Sequence, residues 1–592
     1  MKRFIVRLLA FIGGACLLFF IAAVVLTAMA VSRKPGVPDG FVLELELDAP
    51  LMEAHPDESL ASAFGESKPT VRDVVDALQK ASGDKRVKGL IAHVGASPGS
   101  MAVVQELRDA VKAFRKSGKP TIAWADSFGE FGGANGAYFL ASAFDDVYIQ
   151  PSGDVGLIGF AAETPFARDA FAKLGVQPQM GQRKEYKNAV NTYTEQGYNA
   201  PHREATEKYV GSLFGQLVRG VAEDRGRTDA EVRALVDRSP LPGKDALAEK
   251  LVDGLLYRDE VYEKVRALTG GKKPELLYLA KYLKRAGRPN DGGTKMALIY
   301  GVGEVRRGES ASNPLSGSEV MGADTVARAL HRATQDSTVK AIVFRVDSPG
   351  GSYLASDSIR REVQRAREKG KPVVVSMGSL AASGGYFVAM EADRIVAQPG
   401  TLTGSIGVFG GKMVTAGLWE KLGVNWDTIA YGKMATLAST DLPYTPEQRA
   451  LVDASLDRIY ADFTAKAAAG RKVPLDRLEP LAHGRVWTGE DAKGLGLVDA
   501  LGGLPRAFDE ARALAKLAPG APLDIQVFPR KKDAAEILTE LLGGDAGENS
   551  EEAGARLLNP LAPLVEATRA LYRTAVQLGL TEQAEPLRAP LP

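Results

Sequence analysis

A single cysteine, Cys16, is all the thiol in the chain, which excludes a disulfide framework and a cysteine-rich zinc site. Histidine is nearly as scarce. The five (His55, His93, His202, His331 and His483) include no HExxH arrangement, so metal hydrolysis is disfavoured. None of them sits in a motif resembling a Ser/His/Asp triad, and His331 and His483 read as surface or helix residues. An excess of one charge is missing too: 74 Lys+Arg stand against 73 Asp+Glu. Without a basic surplus to neutralise phosphates, no nucleic-acid partner is expected. No cofactor is expected either. What remains is an ordinary globular composition, 45% hydrophobic and 25% charged, in 592 residues, enough for at least two cores.

Leu8 to Val31 is a nearly uninterrupted apolar run preceded by Lys2, Arg3 and Arg7. It exceeds the usual apolar core of a signal peptide and, as a helix, is long enough to cross a bilayer. Residues 1–34 therefore read as a membrane anchor. Basic residues before the run favour a cytoplasmic N-terminus and the large domain on the far side, although Arg33 and Lys34 weaken that vote. Ala28-Met29-Ala30 resembles a cleavage site, so a secreted mature form is the competing reading.

The chain is written twice. Val87-Lys88-Gly89-Leu90-Ile91 leads to Ser97-Pro98-Gly99-Ser100; Val339-Lys340-Ala341-Ile342-Val343 leads to Ser348-Pro349-Gly350-Gly351-Ser352. Ala134-Asn135-Gly136-Ala137-Tyr138 then matches Ala382-Ser383-Gly384-Gly385-Tyr386 at an offset of 248 residues (383 minus 135), which persists to Lys173-Leu174-Gly175-Val176 against Lys421-Leu422-Gly423-Val424. Short strands alternating with helices predict βαβ units and a mainly parallel sheet in each copy. This divides the chain into a first α/β domain over 40–286, a Gly/Pro/Asn/Asp-rich linker over 287–294, a second α/β domain over 295–528, and a helical tail over 529–592.

Ser383 lies in the stretch around which the chemistry is expected. The run Lys371 to Met377 predicts a strand, Leu380 to Gly385 a tight turn, and Tyr386 to Ile395 a helix, so Ser383 would stand at a helix N-terminus. The bland alternative is a serine N-cap. The differences between the copies shift the balance. Ser383 faces Asn135, Ser405 faces Leu157 within otherwise retained glycines, and Lys187 faces Ala435. One copy carries the hydroxyls and the other the lysine, a complementary loss that points to one composite site rather than to drift at exposed positions.

The motifs S-P-G-G, A-A-S-G-G-Y, T-G-S-I-G, G-R-V-W-T-G (Gly484 to Gly489) and G-L-V-D (Gly496 to Asp499) together resemble the long, duplicated form of the bacterial signal peptide peptidases. The resemblance implies two tandem Clp/crotonase-like domains behind an N-terminal transmembrane helix, a Ser/Lys dyad and a homotetramer over the membrane. Carried over residue by residue, it implies Ser383 as nucleophile, Lys187 as general base and Ser405 as the hydroxyl that orients the lysine. Released signal peptides at the bacterial inner membrane would be the substrates.

The chemistry is consistent with those residue types. A serine hydroxyl needs a nearby base, and a lysine can be one only when burial lowers its pKa from near 10.4. The developing oxyanion needs preorganised donors, and the N–H groups of Gly350 or Gly351 with that of Gly384 are the candidates. Two rival readings are a crotonase-like acyl-CoA enzyme, for which no acidic catalytic residue is identifiable, and a non-catalytic membrane scaffold, against which the retained Ser383, Ser405 and Lys187 argue.

Overall fold

A computed structural model of the chain describes residues 36–54, 68–270, 276–312 and 318–529. The expected membrane helix and, from residue 530 onward, the expected helical tail lie outside those residues. Among the described residues no helix is long and apolar enough to cross a membrane. Pro38–His55 and Pro69–Pro529 form one compact unit.

Each copy builds its own parallel sheet, and the two sheets run in the same strand order. The first reads Gly254–Leu255, Asp146–Ile149, Thr121–Ala125, Val87–His93, Phe41–Glu46, Leu276–Tyr278. The second reads Ala500–Leu501, Arg394–Ala397, Val373–Ala382, Ala341–Ser348, Thr294–Val302, Leu523–Phe528. Near-continuous apolar runs such as Ala341 to Phe344 and Val373 to Val375 are fully buried, as strands covered by helices on both faces must be. The Ser-Pro-Gly turns each open a helix, Met101–Arg115 and Tyr353–Glu368, whose N-caps Ser100 and Ser352 accept from Val103 N and Ala355 N.

The second sheet carries an extension that in the first is reduced to a single parallel bridge, Phe128 to Val155, and the short antiparallel pair Asp154–Val155 with Leu241–Pro242. Beyond Met377 the strand Val373–Ala382 continues past its Arg394–Ala397 neighbour and pairs with Leu402–Gly404, which pairs antiparallel with Val486–Thr488. The helix expected over Tyr386 to Ile395 is shortened to one turn, Gly384–Phe387. The chain turns at Val388 to Glu391 and is in the sheet again by Arg394, because Ile395 to Ala397 complete the buried layer.

Among the features that join the copies are two extended ones. Gln177–Gln182 of the first pairs antiparallel with Phe409–Val414 of the second. Arg345, central in the second sheet and 1% exposed, donates to Glu53 (2.5 Å) and Glu106 (2.8 Å) of the first copy and to Ser376 (2.9 Å). A buried guanidinium is tolerated only with such matched acceptors.

Candidate active site

Ser383 takes φ 55° and ψ −119°, a backbone conformation that costs a non-glycine residue of order 1–3 kcal/mol. Ser405 is likewise left-handed at φ 51°. Their counterparts Asn135 and Leu157 have no positive φ, so at these two positions only the copy that carries hydroxyls is strained. Ser383 occupies the N-cap position of Gly384–Phe387 but makes no side-chain capping bond. Its Oγ instead lies 3.1 Å from Lys187 Nζ.

Lys187 reaches this point because the strand Gln177–Gln182 hands the following residues into the second copy's cleft. Arg183 N donates to Val408 O and Tyr186 N to His483 O on the way. The amine also lies 2.9 Å from both Ser405 O and Ser405 Oγ. The residue is 3% exposed, and burial alone pulls its pKa down to about 7. The turn His483-Gly484 packs so closely on the lysine that a Cβ at Gly484 would sit 2.6 Å from Lys187 N and Cβ. His483 itself pairs with Glu185 at 3.0 Å and His331 with Glu362, so neither histidine faces Ser383.

The turn Ser348–Ser352 lies across the cleft. Gly350 takes φ 96°, and a Cβ there would meet Gly384 N at 2.5 Å. Of the three candidate donors, Gly350 N–H is already directed at Ser348 Oγ (3.1 Å). A Cβ built on Gly384 would lie 3.0 Å from Gly351 N, so the amides of Gly351 and Gly384 are close neighbours, and no acceptor among the described residues takes either. The cleft encloses about 510 Å³, and Tyr353, Phe387, Ile459 and Phe463 give it an apolar wall.

Asp347 ties the turn to the serine strand. The pairing jumps from Val346↔Met377 to Ser348↔Ala381, so the serine strand bulges over Gly378 to Leu380. Asp347 Oδ1 accepts from Leu380 N at 2.8 Å and the carboxylate takes Ser379 N as well. Sequence reasoning missed this residue and Arg345. The signal was present: in the Ser348/Ser97 register their counterparts are Ala96 and Val94.

The first copy has a cleft of about 540 Å³ at the equivalent place. There Asn135 is occupied by Gly159, donating to its carbonyl at 2.5 Å and accepting from its amide at 3.2 Å. The turn beneath is one glycine shorter, Ser97 to Ser100 against Ser348 to Ser352.

A serine and an amine in contact beside two free amides can carry out acyl transfer. The sequence pattern of peptidase family S49 matches residues 113–272 and 365–518, once in each copy. The chain belongs to peptidase family S49. Its curated relatives agree: it is 34% identical over 459 residues to Protease 4 of Salmonella typhi, covering 75% of this chain and 72% of that one. To Protease 4 of Haemophilus influenzae it is 30% identical over 537 residues, covering 87% and 85%. To the chloroplastic serine protease SPPA of Arabidopsis thaliana it is 32% identical over 457 residues, covering 76% and 65%. This S49 chain is a serine peptidase, a hydrolase of mixed α/β fold with its family domain duplicated.

Proposed function

We propose that the chain is a membrane-anchored serine endopeptidase in which Ser383 is the nucleophile and Lys187, from the other copy, is the general base. The contact between Lys187 Nζ and Ser383 Oγ at 3.1 Å carries this reading. A neutral amine takes the hydroxyl proton as Oγ attacks the scissile carbonyl, and then returns it to the leaving amine. Water deacylates the enzyme by the same route. Ser405, through its hydroxyl and carbonyl, holds the amine in place. Gly351 and Gly384 N–H groups receive the oxyanion, where one such donor is typically worth about 3 kcal/mol.

The apolar wall favours extended apolar peptides, and released signal peptides fit that description. Leu8 to Val31 would anchor the chain in the bacterial inner membrane with the body on the extracytoplasmic side, where such peptides reside, and the working form would be a homotetramer. An electrophilic serine probe followed by peptide mass mapping tests the site. Labelling should fall on Ser383 and disappear in Ser383→Ala, with hydrolysis of a synthetic signal peptide lost and the melting temperature retained. Hydrolysis by Ser383→Ala within a few-fold of the parent would remove Ser383 from this role.

A further inference from the structure

The motif Gly484 to Gly489 contains none of the residues assigned a step in the reaction, yet it borders two of them. The register of the edge ladder, Gly404 opposite Val486, sets Ser405 opposite Arg485. Ser405 N donates to Arg485 O at 2.7 Å, but the return bond of a regular antiparallel pair is missing, because Arg485 N turns to Ala482 O at 2.8 Å. The opened bond leaves Ser405 O to Lys187 Nζ, 2.9 Å away. We propose that Arg485 is a positioning residue: its backbone holds Ser405, its side chain holds the segment that carries Lys187, and together they fix the amine against the hydroxyl that orients it.

The side-chain half of this clasp is made of rings. The Arg485 guanidinium lies over Tyr186, 4.8 Å from the ring centre, and over Trp487, 4.4 Å from its centre. Tyr186 is the residue before Lys187, and its N–H donates to His483 O. Arg485 also donates to Glu204 Oε1 at 2.8 Å, while the other oxygen of that carboxylate accepts from Tyr186 OH. Glu204 is 54% exposed, and an ion pair with so wet a partner holds little. The rings hold more, because a planar guanidinium stacks on aromatic faces and this one is only 13% exposed. Trp487 is itself tied by Nε1 to Leu481 O at 3.0 Å.

The repeat supplies a control. In the first copy Val155 stands opposite Leu241, a register that sets Leu157, the counterpart of Ser405, opposite Ser239. The guanidinium is thus absent from the copy that lacks the hydroxyls. Ser239 Oγ turns back to Leu235 O instead. An arginine needed only to finish the sheet edge would serve both copies alike, since both keep that edge pair.

Loosening the clasp lets water reach the amine. Burial is what lowers the Lys187 pKa, so hydration moves it back up and the neutral form is reached only at higher pH. The charged groups around the clasp, Glu185, Glu204, Glu479, His483 and Lys184, pair with one another or with Arg485 and not with the amine. Glu304, which lines the same cleft, pairs with Arg306.

Arg485 has this role only if Lys187 is the base of Ser383, the reading given above. Arg485→Met keeps the stem and removes the planar cation. Tyr186→Leu removes a ring from the first copy's side, so it tests the same clasp even if the first variant does not fold. In the detergent-solubilised full-length chain, the rate of Ser383 acylation by the electrophilic serine probe is followed from pH 6 to 9.5. Each variant should have its midpoint raised by about one unit or more, be at least about fivefold slower at pH 7, and come within about threefold of the parent at pH 9.5. Hydrolysis of a synthetic signal peptide at pH 7 should lose kcat with KM little changed. The double variant should cost little more than either single one, as groups that act as a unit do. Labelling lowered by one factor at every pH, or strictly additive losses, would overturn the clasp. A labelled parent with unchanged midpoints in the variants would overturn it alone; a parent unlabelled at Ser383 would overturn the peptidase reading and the clasp with it.

Discussion

Lys187 is 3% exposed and has no carboxylate beside it, so its amine is held in the site at a cost in stability. With the pKa near 7 in the fold and 10.5 outside it, the penalty is of order 4–5 kcal/mol at about 1.4 kcal/mol per unit. The folded state binds the proton less tightly. The penalty is therefore full at and below pH 7 and shrinks as pH rises toward the ordinary lysine value. Lys187→Met should be inactive yet melt at a higher temperature than the parent at neutral pH, the trade expected of a strained site; calorimetry at pH 7 and pH 9.5 should show the gap narrowing. A lower melting temperature would mean that the amine's three oxygen contacts outweigh its desolvation. At this scale the sequence was informative wherever the copies could be compared. Ser383, Ser405 and Lys187 were each singled out by a mismatch, and both serines lie within hydrogen-bond reach of the lysine. Gly484 was quoted only as part of a motif, because its meaning depends on Lys187 being folded against it.

Two short elements hold those residues in place. The Asp347 carboxylate, pushed up by burial, fastens Leu380 and Ser379 of the bulge that leads to Ser383. Asp347→Ala should lower kcat at least tenfold with little change in KM, whereas Asp347→Asn, which keeps an acceptor oxygen, should stay within a few-fold. Equal losses in both variants would show that the charge, not the staple, matters. The turn at His483-Gly484 is the second element. A Cβ at Gly484 would meet backbone and Cβ atoms of Lys187 at 2.6–2.7 Å, so Gly484→Ala should displace the amine and reduce probe labelling while circular dichroism remains parental. Labelling at the parental rate would show that the turn yields. Neither element was legible beforehand, because a bulge and a turn packed against the other copy are set by sheet register rather than by local pattern. For the same reason the helix expected over Tyr386 to Ile395 became one turn: the demand of the sheet for Ile395 to Ala397 overrode local helical preference.

Across the whole molecule, the repeat made two sheets predictable, and their shared strand order follows from it. That they join was implied by the composite site, but the contacts that join them were not predictable, because they are between residues hundreds of positions apart. Arg345 shows the strength of that join. Arg345→Met would leave Glu53 and Glu106 as buried carboxylates without a cation, and the folded unit should lose about 3–5 kcal/mol, read as a lowered denaturant midpoint. A midpoint unchanged from the parent would show that the ion cluster does not hold the copies together.

The site itself is a property of the whole chain, since the proposed base and nucleophile come from different copies. The most direct test is the rate of Ser383 acylation against pH in the full-length parent and in Lys187→Arg. Arginine keeps the charge and cannot lose its proton in this range. The parental rate should rise through about pH 7 and level off, and Lys187→Arg should remain unlabelled from pH 6 to 9 while still folded. Labelling of Lys187→Arg at the parental rate would contradict a base supplied by the first copy.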